Sequence, residues 1–533
     1  MGQIKLYDTT LRDGAQSEGI SFSVVDKLHI TEKLDDLGIS YVEGGWPGSN
    51  PKDAEFLRSA SQLKLKNAQL AVFGSTRRVG TKAEDDNNLV MLVKTGVRVA
   101  TIVAKSSSRQ VTEVLGTSPE ENLNMIADSV RYLRENGMTV FVDAEHFFDG
   151  YKFDPNYALR TLEVAVAAGA DGVVLCDTNG GALVEEVAAA TGAASKATRA
   201  VLGIHVHNDG GLAVANSLAA VRAGVTQVQG TINGYGERCG NANLCTIIPA
   251  LKLKMGIDCV TQEQLGKLTE VSRFVALTAN LSPDPFSPYV GMSAFSHKAG
   301  YHVDGLAKWE HAYQHIDPNL VGNRKRAVVS ELSGRDNIVF KAKELGIPLP
   351  SQKSAIQALL SQVKQAESHG YQYENAEASF ELLLHRALPG YKPPFELVDF
   401  MVLVETRRRA PVRNHLEETL AEAMIKVRVD GEVMHTAAEG VGPVNALDQA
   451  LRKALIQIYP SIAAIKLIDY KVRILEESVG TESQVRVFIE SSDGNRQWRT
   501  VGSSGNIIEA SWFALADSLE YWLTKNAASV DPP

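Results

Sequence analysis

Apolar runs and amphipathic stretches alternate along the chain from about residue 4 to about residue 255. The apolar runs are short and predict strands, and the stretches between them repeat apolar residues at helical spacing. In the first of these stretches Ile30, Leu34 and Leu37 share one face, and Gly38 favours helix termination. The predicted strands are IKLY, SYVEG, QLAVFG, VRVATIVA, TVFVDAE, GVVLCD, VLGIHVH and QVQGTIN.

Repeated strand and helix pairs over about 250 residues match the length of a (β/α)8 TIM barrel. A doubly wound open sheet is the competing fold, but it usually has fewer strands and a glycine-rich fingerprint after the first one. The first predicted strand is followed instead by DTTLRDG. The sequence therefore predicts an α/β protein built on a TIM barrel.

The pattern changes beyond the barrel. It becomes mostly helical with polar breaks, which predicts a helical connector and lid subdomain, and then returns to strand alternation in two halves that each end in a helix. This repetition indicates a duplicated α+β unit, suited either to binding a regulatory ligand or to plain dimerisation. The predicted domains are the catalytic barrel, the connector and lid subdomain, and the C-terminal α+β regulatory domain, at 1–261, 262–392 and 393–533 respectively.

Composition narrows the functional class. The chain has 533 residues, of which 44% are hydrophobic and 22% charged, as in a globular multidomain protein. A net charge of −9 offers no general attraction for nucleic acid or an anionic membrane. Four cysteines without C-x-x-C spacing indicate neither a disulfide framework nor a structural zinc site, and no signal peptide or membrane span is recognisable. We expect a cytoplasmic protein.

Polar side chains cluster at the carboxyl ends of the predicted strands, where barrel enzymes place their reactive groups. Barrel closure should bring them to one face. They are Arg12, Asp13, Glu43, Asp143, Glu145, Asp177, Thr178, His205, His207, Glu237, Arg238 and Asn241.

Two histidines in this set indicate a metal site. His205 and His207 stand at positions i and i+2 of one strand, so both imidazoles project to the same face. Such a pair can also be purely structural. However, Asp13 and Asn241 lie on loops that barrel closure makes neighbours of this strand, which completes two nitrogen and two oxygen ligands. The set predicts a site for Zn²⁺, Mn²⁺ or Mg²⁺, between which the residues do not choose.

Arg12 adjoins a predicted ligand. Its guanidinium is therefore placed to stabilise negative charge that grows on an oxygen polarised by the metal. The alternative is a salt bridge to Glu43 or Glu145, and both roles are compatible. The glycines of NGYGERCGN lack the Lys-Ser/Thr of a phosphate loop, so we interpret them as shaping the turn that delivers Asn241.

Several motifs resemble one enzyme family. DTTLRDGAQ, HVHND and NGYGERCGN, in this order, resemble the signatures of the 2-isopropylmalate, homocitrate and citramalate synthases, a family related to hydroxymethylglutaryl-CoA lyase. The resemblance covers nearly the whole chain, since HKAGYHVDG and AYQHIDPNLVG resemble its post-barrel subdomain and the C-terminal part resembles its amino-acid-sensing domain. EGGWPGSNPKD and VDAEHFFDG are closer to the long-chain citramalate synthases than to the isopropylmalate synthases.

The resemblance implies a Claisen condensation of acetyl-CoA with pyruvate, followed by thioester hydrolysis, in isoleucine biosynthesis. Pyruvate would bind the metal beside Arg12 and Thr178. His302 of the subdomain would act as the base, with Glu145 as an acidic helper and Tyr313 nearby.

The keto-acid pocket would be walled by side chains from the middle strands, including Phe73 and Asp143. The resemblance also implies a homodimer, and isoleucine is expected to bind between the two halves of the C-terminal domain and lower activity.

Three rival functions remain open. A synthase that uses 2-oxoisovalerate or 2-oxoglutarate would give isopropylmalate or homocitrate, because pocket volume discriminates only weakly between keto acids. A metal-dependent lyase or aldolase would have a similar barrel, although a long C-terminal sensor suits a biosynthetic step better. A non-catalytic amino-acid-binding regulator is disfavoured by the intact metal set.

Overall fold

The computed structural model describes residues 3–298, 300–309, 311–327, 334–350, 352–405, 420–475 and 483–527. The chain divides into two compact units. One comprises 1–295 and 315–325, and the other comprises 296–314 and 326–533. No helix among these described residues is both long and apolar enough to cross a membrane.

The first unit is a closed barrel of eight parallel strands, in which the last strand pairs with the first. This confirms the predicted α/β barrel. The strands are β1 Lys5–Asp8, β2 Tyr41–Glu43, β3 Gln69–Ser75, β4 Val99–Lys105, β5 Thr139–Glu145, β6 Gly172–Asp177, β7 Val201–Val206 and β8 Gln227–Gly230.

Helices follow the strands and cover the barrel. The first begins where Ser23 accepts a hydrogen bond from Asp26 N, and it ends at Gly38, whose φ of 88° is left-handed. Its residues Ile30, Leu34 and Leu37 are buried as predicted. The helices of this unit are α1 Val24–Leu37, α2 Pro51–Ala60, α3 Asn87–Lys94, α4 Ser108–Glu113, α5 Pro119–Glu135, α6 Phe147–Phe153, α7 Pro155–Ala167, α8 Val184–Ala197, α9 Ala213–Arg222, α10 Leu244–Pro249, α11 Gln262–Leu265 and α12 Leu268–Thr278.

The second unit begins with helices and two short strands that pair in parallel. These elements are β9 Ser296–His297, α13 Gly300–Lys308, β10 Arg326–Ala327, α14 Arg335–Leu345, α15 Lys353–Ser368 and α16 Glu377–Arg386.

Two antiparallel three-stranded sheets, each followed by a helix, complete this unit, in agreement with the predicted duplication. The sequence pattern did not predict the strands β13 and β16. The elements are β11 Glu396–Glu405, β12 Leu420–Val429, β13 Glu432–Gly440, α17 Pro443–Leu455, β14 Lys466–Ile474, β15 Val485–Ser492, β16 Gln497–Ser504 and α18 Ile507–Ala527.

An ion-pair network joins α16 to α18. The Arg386 guanidinium lies 2.7 Å from Asp517 Oδ1 and 2.6 Å from Glu520 Oε2. Ser379 Oγ donates to Asp517 Oδ2, and the Tyr391 hydroxyl donates to Glu520 Oε1. Because both carboxylates are buried, these contacts supply the partners that water would otherwise provide.

Candidate active site

Hydrogen bonds to the end of β8 fix the turn that follows β1. The buried carboxylate of Asp8 accepts from both the backbone N and the Oγ1 of Thr10, and Thr10 Oγ1 in turn accepts from Ile232 N at 2.9 Å. This turn therefore holds Arg12 and Asp13 beside the strands that close the barrel.

Three predicted ligands meet at this end of the barrel. Asp13, His205 and His207 each offer one ligand atom, and these atoms all lie within 4.8 Å of one another. The two Nε2 atoms are 3.4 Å apart, and Asp13 Oδ2 lies 3.2 Å from that of His205 and 3.9 Å from that of His207. All three side chains are buried. Two imidazole nitrogens and a carboxylate oxygen directed at one point form a set suited to a divalent metal.

Asn241 forms an isolated backbone bridge with His207, and its Nδ2 donates to Tyr235 O at 3.2 Å. Its Oδ1 and the Oδ1 of Asp13 are buried with no hydrogen-bond partner among the described residues. Buried acceptors of this kind are rare in folded proteins without an ion or water to satisfy them. The donor chemistry of these residues therefore fits a bound cation.

The loop that carries Asn241 requires its glycines. Gly236 has a φ of 155°, and a Cβ built on it would lie 2.1 Å from Asn241 Nδ2. Gly240 has a φ of 86°, and its Cβ would lie 2.0 Å from the carbonyl oxygen of Gly234. These residues shape the turn that presents Asn241, as the sequence predicted.

Gly236→Ala should weaken metal binding because the added methyl group displaces the Asn241 amide. We expect affinity to fall on the order of 10- to 100-fold, the range found when a residue that supports a metal ligand is lost. Calorimetric titration of the metal-free protein checks this. Gly181→Ala is the matched control, since a Cβ there meets nothing within 4 Å in the neighbouring loop after β6. Equal affinities for both variants would contradict the prediction.

Arg12 faces Glu43, Asp13 and Phe73. Its Nε donates to Glu43 Oε1 at 2.6 Å, its Nη1 lies 3.4 Å from Asp13 Oδ2, and its guanidinium carbon is 3.9 Å from the Phe73 ring centroid. Burial alone would lower the pKa of Arg12, but the carboxylates of Glu43 and Asp13 outweigh it and hold the pKa above its usual value. The guanidinium is therefore a fixed positive charge next to the cluster of Asp13, His205 and His207. Of the two salt bridges considered, the one to Glu43 forms, whereas Glu145 pairs with Lys105 Nζ at 2.5 Å.

At neutral pH two of the three groups of this cluster, Asp13 and His207, are in the protonation state that a metal ligand needs. Burial alone would raise the pKa of Asp13, but Arg12 and the hydrogen bond to His205 hold it well below its usual range. Burial, followed by the nearby His205, lowers the pKa of His207 to about 4. Desolvation would also lower the pKa of His205, but Asp13 raises it above its usual value. At neutral pH the Asp13 carboxylate and the His207 lone pair are thus available to a metal.

The predicted substrate-binding residues Thr178, Asp143 and Phe73 each contact a neighbouring residue. Thr178 Oγ1 accepts from His146 N at 2.8 Å, which joins the loops after β5 and β6. Asp143 is buried in the barrel, where desolvation, opposed by the nearby His205, raises its pKa to about 7. Phe73 is buried under Arg12.

Of the predicted catalytic residues, Arg12 and Glu145 belong to the first unit, whereas His302 and Tyr313 belong to the second. Their rings stack with centroids 4.2 Å apart, and both side chains are exposed. The structure therefore brings His302 and Tyr313 together, and it separately brings Arg12 together with Asp13, His205 and His207.

One polar residue of the site, Gln229, was not identified from the sequence. Gln229 on β8 lies between His205 and Asp143, with Nδ1 of His205 3.0 Å from its Oε1 and Asp143 Oδ1 3.2 Å from its Nε2. A glutamine inside a buried barrel strand was the available signal. Arg238 was noted, but its contacts were not: it donates to both Asp209 oxygens and to the Thr178 carbonyl.

Comparison with known proteins matches three families to successive segments of the chain. The HMGL-like family matches residues 3–275, the homocitrate synthase post-HMGL domain-like family matches 289–370, and the LeuA allosteric (dimerisation) domain matches 374–523.

Full-length relatives are also found. The chain is 52% identical over 526 residues to the (R)-citramalate synthase of Geobacter sulfurreducens, covering 99% of this chain and 98% of that protein. It is 51% identical over 525 residues to the (R)-citramalate synthase of Aquifex aeolicus, covering 98% of each. It is 50% identical over 532 residues to that of Synechocystis sp., covering 97% of this chain and 96% of that protein.

Proposed function

The chain belongs to the (R)-citramalate synthases of the HMGL-like family, and from this membership we propose how its own residues perform the reaction. The protein is an acyltransferase. It condenses acetyl-CoA with pyruvate and then hydrolyses the thioester, which releases CoA and (R)-citramalate. The observation that carries the proposal is the gathering of Asp13, His205 and His207 at one point, with the Arg12 guanidinium alongside.

We assign Asp13, His205, His207 and Asn241 as the metal ligands. If they hold a divalent ion, which we propose to be Zn²⁺, Mn²⁺ or Mg²⁺, that ion would supply Lewis-acid chemistry at the keto acid. Arg12 stabilises the negative charge that develops on the keto oxygen as the new carbon–carbon bond forms.

Pyruvate is oriented by Arg12 and by the Thr178 hydroxyl, and Phe73 and Asp143 wall its pocket. A pocket that selects pyruvate must be small, because the keto acid carries only a methyl group. The buried Phe73 ring packs against Trp46 with centroids 5.4 Å apart, and we propose that it limits the volume of this pocket. This assignment accounts for a preference for pyruvate over larger keto acids.

We assign proton abstraction from the acetyl methyl group to His302, with Tyr313 and Glu145 assisting. The stacking of His302 on Tyr313 supports the pairing of these two side chains. A base of this kind contributes on the order of 10²–10⁴ in rate. The methyl carbon loses its proton to the imidazole and attacks the keto carbon, and the resulting alkoxide takes up a proton before water cleaves the thioester.

A thiol-release assay tests the substrate. With acetyl-CoA as co-substrate, kcat/KM should be highest for pyruvate when compared with 2-oxoisovalerate and 2-oxoglutarate. A higher value for either larger keto acid would reassign the protein to the isopropylmalate or homocitrate synthases.

We propose that the protein is a homodimer assembled through its C-terminal sheets. The match to the LeuA allosteric (dimerisation) domain supports this, as do large apolar side chains on β11 and β14 that are 38% to 55% exposed. Exposed apolar side chains that cluster on a protein surface often mark an interaction site.

Charge introduced on these strands should therefore dissociate the dimer. The double variant Met401→Glu/Ile474→Glu is expected to sediment as a monomer in analytical ultracentrifugation, because each carboxylate would have to be buried unpaired. Val114→Glu is the control, since Val114 is an exposed apolar residue of the barrel unit. A monomeric unsubstituted protein, or a dimeric double variant, would contradict the proposed interface.

We propose that isoleucine, as an end product, binds between the two halves of the C-terminal domain and inhibits the enzyme. Isoleucine added to the full chain should then slow hydrogen exchange in α17 and α18 and lower the rate of thiol release. Leucine and norvaline serve as comparison ligands. Protection confined to the barrel would place the effector site elsewhere.

We further propose the division into 1–261, 262–392 and 393–533 and a cytoplasmic location. The succession of matched families along the chain supports the three-part organisation.

A further inference from the structure

Gln229 occupies the interior of the barrel without contacting the ligand atoms. It is fully buried on β8, and its carboxamide bridges one predicted metal ligand and one acidic residue. Its Oε1 lies 3.0 Å from His205 Nδ1, and its Nε2 donates to Asp143 Oδ1 at 3.2 Å. The Asp143 carboxylate comes from β5, across the barrel interior.

The chemistry of an amide makes this bridge directional. The amide nitrogen only donates and the amide oxygen only accepts. Because Asp143 Oδ1 accepts from Nε2, the Oε1 of Gln229 must face His205, and Nδ1 of His205 must carry the hydrogen that it receives. When a metal replaces the hydrogen bond between Nε2 and Asp13, the lone pair of His205 would then reside on Nε2, the atom directed at Asp13 and His207.

We propose that Gln229 is a positioning residue that holds His205 in its Nδ1–H tautomer and aims Nε2 at the metal, with Asp143 fixing the amide. This proposal rests on the proposed metal site. Partners behind a ligating histidine raise its basicity and fix its ring, and their loss typically costs 10- to 100-fold in metal affinity.

The same strand offers a matched control. Gln227 is also buried on β8, two positions earlier, but neither polar atom of its amide has a hydrogen-bond partner among the described residues. Removing that amide should leave His205 unaffected. Gln229→Leu and Gln227→Leu therefore make the same chemical change, and only the first breaks the bridge.

The test is titration of the metal-free full-length protein with Co²⁺, followed by calorimetry and by visible absorption. Gln229→Leu should bind Co²⁺ on the order of 10- to 100-fold more weakly than the unsubstituted protein and show a changed d–d spectrum. Gln227→Leu should match the unsubstituted protein in both. Thermal unfolding of each metal-free variant checks that it is folded.

A reversed bridge provides a second measurement. In Gln229→Glu/Asp143→Asn, the new amide at position 143 can donate to the new carboxylate at position 229, which still accepts from His205 Nδ1. This variant should recover most of the Co²⁺ affinity and the original spectrum. Unchanged Co²⁺ affinity and spectrum in Gln229→Leu, or no recovery in the double variant, would overturn the role of Gln229. Failure of the unsubstituted protein to bind Co²⁺ would instead overturn the proposed metal site.

Discussion

His207→Ala should remove nearly all condensation activity while the barrel stays folded. The His207 imidazole is buried beside His205, and its pKa of about 4 leaves it neutral at physiological pH, as a metal ligand must be. Without it the site loses one of two nitrogen donors. Electrostatic help from a metal is worth several kcal/mol, so we expect kcat to fall on the order of 10³-fold or more.

Activity and metal content should fall together in this variant, as measured by thiol release and by mass spectrometry of the bound metal. His29→Ala is the control, because His29 is an exposed histidine of α1. A chelator should reproduce the loss in the unsubstituted protein, and added Mn²⁺ or Zn²⁺ should reverse it. Substantial turnover by metal-free His207→Ala would remove the metal from the mechanism.

Arg12→Lys should have the next largest effect. Removing the cation from the buried Glu43 carboxylate would cost about 3–5 kcal/mol in stability. The lysine avoids this loss because it keeps a positive charge near Glu43. An ammonium cannot reproduce the planar contacts of the guanidinium with Glu43, Asp13 and the Phe73 ring at once. Loss of one group that stabilises an oxyanion typically costs 10²–10³ in kcat, and we expect a fall of about that size.

The control for this change is Arg77→Lys. Arg77 is buried and pairs with Glu121 and Asp128, each at 2.8 Å, so it loses comparable contacts outside the site. Steady-state kinetics with varied pyruvate, together with thermal unfolding of both variants, separates the two roles. If Arg77→Lys loses as much kcat as Arg12→Lys, the effect of Arg12 is structural.

Barrel strands were the most predictable part of the fold. TVFVDAE and GVVLCD coincide with β5 Thr139–Glu145 and β6 Gly172–Asp177, because strands covered on both faces must be apolar nearly throughout. The predicted eighth strand ran to Asn233, whereas β8 ends at Gly230. Asn233 has a φ of 61°, which no strand accommodates.

Two C-terminal strands, β13 and β16, escaped prediction because their sequences lack a clear strand pattern. β13, Glu432–Gly440, reads EVMHTAAEG, in which apolar and polar residues do not alternate clearly. The signal lay in the preceding turn. Asp430 and Gly431 have φ values of 48° and 89°, as a two-residue hairpin turn requires, and Asp-Gly is a strong hairpin dipeptide. An Asp-Gly pair, Asp493–Gly494, also lies in the longer connection between β15 and β16, which runs from Asp493 to Arg496.

The meeting of Asp13, His205 and His207 was predictable from the sequence because strand ends and loop ends in a closed barrel have predictable neighbours. The i, i+2 spacing placed His205 and His207 together, and the structure brings Asp13 to them. Gln229 could not be assigned in the same way. Its meaning depends on Asp143, a side chain 86 positions away on a strand that meets it only across the barrel interior. The catalytic roles of His302 and Glu145 stay predictions.

The ion pairs of Arg386 bear on the order in which the two units fold during translation. The barrel can close on the ribosome as soon as β8 has emerged to pair with β1, since all of its strands lie in the first half of the chain. Arg386 contacts side chains that are translated 131 and 134 positions later. The charge of Arg386 in α16 is therefore not neutralised by these side chains until α18 has been translated. Domains generally fold as units during synthesis, in chain order. The nascent enzyme therefore carries a finished barrel while its second unit is still incomplete.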